Sequence, residues 1–335
     1  MAKKSEIIDM RDARFDPLLR TQNLAYGTTE MRVCEGCGRR NGASRLKCIY
    51  CAHDLDLRPE QNESVGPILR SLESWEHGFN LIIVENVCRN LPAAAKFLSL
   101  ETEALRSILN TGVPLPVVRV DNEQTAGHLR DGIEKFGFRS LIVADADLAT
   151  ETPPGRLRSL EIDAAGLVVR DFNTGTSTAI ARDELAVMVI GLIRSGRVDS
   201  TERRRRGGKV TTLDEVTSAS DEMVLDIYRR SDPVGFRVNL TGFDFSCLGD
   251  EKGILAGENL LRLIVRLRAS VPNAKFIDSY GKIRAALGLT WEVDSRRASF
   301  GLRRAGVGKI EFGAVASRSN LNQFTKFSRL QWHLL

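Results

Sequence analysis

The residues best placed to do chemistry are four cysteines. Cys34-Glu-Gly-Cys37 and Cys48-Ile-Tyr-Cys51 are two CxxC pairs with ten residues between them. Each pair lets two sulfurs from one tight turn reach a single ion, and four soft thiolates in a tetrahedron select zinc. Gly36 and Gly38 relieve the sharp bend at the first pair, and Ala52 holds the position after the second. A catalytic zinc keeps one position open for water, whereas four cysteines close the shell. The expectation is therefore one structural Zn2+ held by Cys34, Cys37, Cys48 and Cys51, with an iron centre on the same ligands as the competing reading. His53 would be a fifth candidate for four places, and we read it as a neighbour.

The full spacing is Cys34-x2-Cys37-x3-Asn41-x6-Cys48-x2-Cys51. It resembles zinc ribbons in general and, in its Asn and the gap that follows, the Ran-binding-protein type zinc finger. That resemblance implies contact with single-stranded RNA or ubiquitin, the RNA binders using arginines and an aromatic that stacks on bases. The corresponding side chains here are Arg39, Arg40, Arg45, Lys47 and Tyr50. The family places a tryptophan two residues before the first cysteine, and this chain has Arg32 there. Two readings of the basic residues stay open: a solvated or protein-contacting face, and a nucleic-acid contact.

Lys and Arg number 48 against 43 Asp and Glu in 335 residues, so the net charge of +5 by itself declares no polyanion partner. Its distribution says more. Arg203-Arg204-Arg205-Arg206 is a compact basic run with Lys209 close by. From Asp294 to the end there are eight Lys or Arg against two acids. Cys88 and Cys247 stand alone and read as small core residues. A large chain with paired cysteines suits metal in a reducing compartment better than a disulfide framework. The N-terminus shows no apolar stretch of signal-peptide length, and the longest apolar run, Leu185 to Ile193, is too short to span a bilayer. The expectation is a cytoplasmic protein with no membrane span.

The positioning elements read as a multi-domain α+β chain. A tail (1–30) precedes the zinc ribbon (31–57) and a polar linker (58–78). Residues 79–148 alternate buried strands with amphipathic helices in the order β-α-α-β-α-β. Asp121 is the expected helix cap before Glu123. Over about 79–145 this order resembles the C-terminal domain of the bacterial ribosomal stalk protein. In that family a lysine-rich helical hairpin contacts translation GTPases; here the matching stretch carries Glu101 and Glu103. A Pro/Gly linker (149–157) leads to a β-rich module (158–270). Seven short strands, ending at Phe243-Asp244-Phe245, and one helix from Glu258 resemble a pleckstrin-homology-like barrel. A flexible basic insertion is expected at 196–220, and a helical and basic segment at 271–335.

Other chemistry is thin. His53, His77, His128 and His333 show no metal-binding spacing. Gly301 to Lys309 is glycine-rich but is neither a P-loop nor a dinucleotide fingerprint. Phe300, Phe312, Phe324, Phe327 and Trp332 are interleaved with basic residues. That mixture can dock on the parent domain or stack on nucleic acid, and we read it as docking. The sequence thus points to a non-enzymatic zinc-binding adaptor or scaffold for protein–protein contacts in a bacterial cytoplasmic complex, without a small-molecule substrate. The alternative is a zinc-ribbon protein associated with RNA, ribosomal RNA included. In either case the candidate contacts are Arg39, Arg40, Arg45, Lys47, Tyr50, Arg203, Arg204, Arg205 and Arg206.

Overall fold

A computed structural model describes residues 31–42, 45–55, 67, 69–70, 72–73, 76–205, 210–306 and 309–335. The expected tail, much of the 58–78 linker, Arg206 and Lys209 lie outside these residues. The chain divides into two compact units, Met1–Ile68 and Leu69–Leu335.

In the smaller unit, β1 (Met31–Val33) and β2 (Arg40–Gly42) form an antiparallel pair, with Val33 opposite Arg40. The buried apolar cluster of this unit is Cys34, Cys48 and Leu55 among the described residues.

The larger unit is mixed α+β with a β-rich part. It opens with β3 (Phe79–Asn86), α1 (Leu91–Phe97), α2 (Thr102–Leu109), β4 (Leu115–Val120), α3 (Glu123–Glu134) and β5 (Phe138–Ala144), in the expected order. These strands form an antiparallel sheet in the order β4-β3-β5. The central position of β3 explains why Asn80 to Ile83 are buried in succession rather than alternately. The cap of α3 is Asn122, whose Oδ1 accepts from Thr125 N at 2.8 Å, and not Asp121. From it α3 turns Ala126, Leu129 and Ile133 onto the sheet.

A second, open sheet follows. It contains β6 (Gly155–Ile162), β7 (Gly166–Asp171), β8 (Ser177–Ala181), β9 (Leu185–Arg205), β10 (Val210–Arg229) and β11 (Asp232–Asn239). After a 3-10 turn (Ser246–Glu251) come α4 (Ala256–Ser270), β12 (Lys275–Ile277), α5 (Tyr280–Leu287), β13 (Asp294–Gly306), β14 (Lys309–Ser319) and α6 (Leu321–His333). The path runs β13-β14-β9-β10-β11-β6-β7-β8, with β12 beside β9.

Three expectations are corrected here. Phe243-Asp244-Phe245 is not a seventh strand; Asp244 makes one isolated bridge to Ser159. The described part of 196–220 is not a loose insertion. It lies in β9 and β10, which pair from Arg204↔Val210 down to Leu185↔Arg229. Their polar side chains hid this from pattern reading, because a ladder bonds backbone to backbone. Finally, the C-terminal segment expected to be helical and basic also supplies two long strands, β13 and β14; its last helix docks as read, with Phe324, Phe327 and Leu330 fully buried.

That helix ties the larger unit together. One apolar core takes residues from β3, β4 and β5 together with Val187 and Val189 of β9, Tyr280 and Ile283 of α5, and Phe324 and Phe327 of α6. The Trp291 indole donates to Asn80 Oδ1 at 2.8 Å, and Arg329 donates to the carbonyls of Leu148, Ala149 and Thr152. The 149–157 stretch is thereby clamped rather than left as a free linker. Gly191, which interrupts the apolar run of β9, lies under the ring of Phe324; a Cβ there would stand 2.6 Å from a ring carbon.

Candidate metal centre

The two CxxC turns are copies of one backbone device. Cys34 O accepts from Gly38 N at 2.7 Å, and Cys48 O accepts from Ala52 N at 2.9 Å. Cys34 N donates to Arg39 O, and Cys48 N donates to His53 O. Each turn ends in a left-handed residue, Gly38 at φ 70° and Ala52 at φ 59°. Glycine adopts that conformation freely, whereas alanine is strained in it.

This symmetry brings the four sulfurs together. All lie within 4.8 Å of one another, with Cys34 Sγ to Cys51 Sγ at 3.6 Å and Cys37 Sγ to Cys48 Sγ at 3.5 Å. Zinc–sulfur bonds of about 2.3 Å in a tetrahedron need sulfurs about 3.8 Å apart, so the four thiolates can hold one metal ion. Asn41 pins the second turn. It is buried, its Nδ2 donates to Arg39 O and to Cys48 Sγ at 3.4 Å, and its Oδ1 accepts from Ile49 N.

The surroundings already favour one thiolate. Burial raises the Cys48 thiol, but the Tyr50 amide, the Asn41 amide and further donors outweigh it and hold Cys48 at about 6. At Cys51 the His53 amide pulls downward, yet burial and the crowding thiols prevail and push it up to about 12. Four thiols this close cannot all ionise alone, and a divalent cation removes that conflict. His53 contributes no ligand to the cluster. Its ring packs over Gly36, where a Cβ would stand 2.9 Å from His53 Cγ.

The basic residues of this unit stand around the knuckles. Arg39, Arg40, Arg45, Lys47 and Tyr50 are all exposed. The Arg39 guanidinium lies over the Tyr50 ring, 4.7 Å from its centre, and Lys47 sits 3.9 Å from Asp54. Arg203, Arg204 and Arg205 belong to the larger unit, near the outer end of β9. There β14 sets Glu311, Ile310 and Lys309 opposite them, and Arg203 forms an ion pair with Glu311. On β13, Arg303 and Arg304 stand opposite Glu311 and Ile310. Strand pairing thus gathers two basic runs about a hundred residues apart in sequence.

A scan of protein-family models and searches of curated proteins and solved structures found nothing that matches this chain.

Sequence reading missed two buried charge clusters of the larger unit. Asp226 receives both Nε and Nη2 of Arg237 at 2.6 and 2.7 Å, and Arg237 also donates to Thr325. Asp145 accepts from Gly78 N, Asn80 Nδ2 and Arg119, with Lys326 Nζ at 4.0 Å. These partners lie up to 181 positions apart in sequence, so no local spacing announces them. Arg237 also reaches an open cavity of about 390 Å³ that Asp294, Arg296, Ser319 and Asn322 help to line. Among the described residues, no helix is long and apolar enough to cross a membrane.

Proposed function

We propose that this chain is a zinc-dependent binding scaffold and not a catalyst. The observation that carries the reading is the closed four-sulfur cluster, in which the cysteines use all four positions of a tetrahedral ion. The metal is a structural zinc that orders the knuckles. The contact surface is what the knuckles display: Arg39 stacked on Tyr50, with Arg40, Arg45 and Lys47 beside them. The three-helix, three-stranded portion of the larger unit, with its stalk-domain-like order, serves as a rigid body carrying further protein contacts.

The test is metal content followed by competition. Purified protein is expected to hold one zinc per chain. Replacing Arg39 and Arg45 by Glu is expected to remove co-purifying partners without changing that stoichiometry. Protein whose partners survive both this double substitution and removal of the metal would refute the reading.

A second reading is favoured by the gathering of Arg203–Arg205, Arg303, Arg304 and Lys309 at one end of the paired strands. Such a cluster suits the phosphates of RNA, since guanidinium groups fit phosphate oxygens as forks. Affinity for a structured RNA would then fall steeply with salt as counterions are released.

A further inference from the structure

Beyond the core, β9 continues from Arg194 to Arg205 as part of a four-stranded ribbon in the order β13-β14-β9-β10. At about 3.3 Å per residue this extension is roughly 35–40 Å long. Its outer strands are open. From Val210 to Glu222, β10 has β9 on one side and no strand on the other among the described residues; β11 joins only at Val224. β13 pairs with β14 alone. Each edge therefore offers a row of unpaired backbone donors and acceptors.

The two edges carry opposite charge. Between Val210 and Glu222, β10 holds Asp214, Glu215, Asp221 and Glu222 and no Lys or Arg. β13 holds Arg296, Arg297, Arg303 and Arg304 against the single acid Asp294. The charges come as dyads with equal spacing. The acidic dyads begin at 214 and 221 and the basic dyads at 296 and 303, seven residues apart in both strands. Arg296 and Arg297 are exposed and form no ion pair among the described residues. At the base of the acidic edge, Asp221 meets Arg194 at 3.2 Å in an exposed pair, and Glu222 accepts from Leu240 N. An exposed pair of that kind is worth little and exchanges readily.

Strand direction fits as well. β13 and β9 run outward, β14 and β10 run back, so the ribbon alternates throughout. A second copy pointing the same way would set its β13 antiparallel to β10 of the first, and the alternation would continue. At a stagger of about three to four residues, Arg296-Arg297 faces Glu222-Asp221 while Arg303-Arg304 faces Glu215-Asp214.

We propose that the protein associates with itself head to tail, the basic edge of β13 in one copy adding to the acidic edge of β10 in the next. Charges that only guard an edge repel every newcomer when both edges share a sign. Opposite signs repel like edges and attract unlike ones, which selects the heterologous pairing. Such an interface leaves one edge of each kind free, so it propagates to a closed ring or an open filament. The inference goes beyond the zinc reading, because both edges belong to the larger unit.

The test is a charge swap on the full, nuclease-treated chain, followed by sedimentation velocity across concentration and salt. The wild type is expected to form species larger than a monomer that dissociate as salt rises. R296E/R297E/R303E/R304E makes both edges acidic, and D214R/E215R/D221R makes both basic. Each variant alone is expected to associate at least tenfold more weakly, and an equimolar mixture is expected to regain association. Should the fourfold variant lose its far-ultraviolet circular dichroism, R296E/R297E alone tests the same edge with the same expected loss. A wild type that stays monomeric at low salt would overturn the proposal. So would folded variants whose mixture fails to associate, or assembly that disappears with nuclease, which would assign the arginines to nucleic acid.

Discussion

The smaller unit buries Cys34, Cys48 and Leu55, and little else among its described residues. The larger unit buries two extended apolar clusters, one of which collects residues from Leu81 to Leu330. A cluster of three side chains cannot offset the entropy of ordering even a short chain. On the zinc reading that deficit in the smaller unit would fall to metal–sulfur bonds, while in the larger unit area removed from water meets it. The two therefore answer to different perturbations. On that reading one depends on thiolate chemistry and a cation, the other on packing and on a few buried charges.

The widest gap between them should open on removal of the metal. Zinc bound by four thiolates contributes about 10–16 kcal/mol in small modules. A chelator, or Cys48→Ser, is expected to abolish amide protection across 31–55 while the thermal transition of the larger unit stays in place. Hydrogen exchange on the intact chain reads both at once, and protection that survives in 31–55 would erase the distinction.

The reverse experiment attacks the larger unit alone. Asp145→Asn removes the negative partner of Arg119 and Lys326, two cations themselves largely buried. Breaking a buried pair from one side costs about 3–5 kcal/mol. The expected result is a lower denaturant midpoint with unchanged zinc content.

The same site has a pH signature. Burial would raise the Asp145 carboxyl, but Lys326, Asn80 and Arg119 prevail and hold it below its ordinary value. A depressed folded value gives stability that is complete above the unfolded pKa of about 3.9 and lost as pH falls through the folded one. As pH falls below about 4, the wild type should lose stability more steeply than Asp145→Asn. Parallel slopes would remove Asp145 from the account.

Smaller effects sharpen the contrast further. Gly191→Ala places a methyl group against the Phe324 ring, and overpacking of this kind costs about 1–3 kcal/mol. Only the larger unit should register it in denaturant titration. Ala52→Gly works in the other direction and on the other unit. It relieves a left-handed alanine, worth about 1–2 kcal/mol, and should tighten zinc in a chelator competition by roughly five- to thirtyfold. No change in affinity would mean that the second knuckle is not strained at Ala52.

Several elements were legible because their causes are local. The helices over 91–97, 102–109, 123–134 and 280–287 follow from apolar spacing within one or two turns, and the metal cluster follows from cysteines 17 positions apart at most. Asn41 stood out in the spacing, but only the fold shows that it ties Ile49 and Cys48 to β2. The outer halves of β9 and β10 were illegible for the opposite reason. Arg194 to Arg205 has no apolar alternation, so nothing in side-chain pattern separates a paired ribbon from a polar loop.

By itself, then, the amino-acid order determined the four-cysteine cluster, the β-α-α-β-α-β portion and the basic character of the 203–206 run and of the C-terminal segment. Those depend on neighbours within a few turns of chain, where residue type and spacing are sufficient. Only tertiary structure decided that α6 is the buried keystone of the larger unit, that Asp145 and Asp226 hold buried cations, and that Arg203 and Arg303 belong to one ribbon. Each of those outcomes rests on contacts between segments far apart in sequence. A buried charge or an open strand edge acquires its meaning from the partner the fold brings to it.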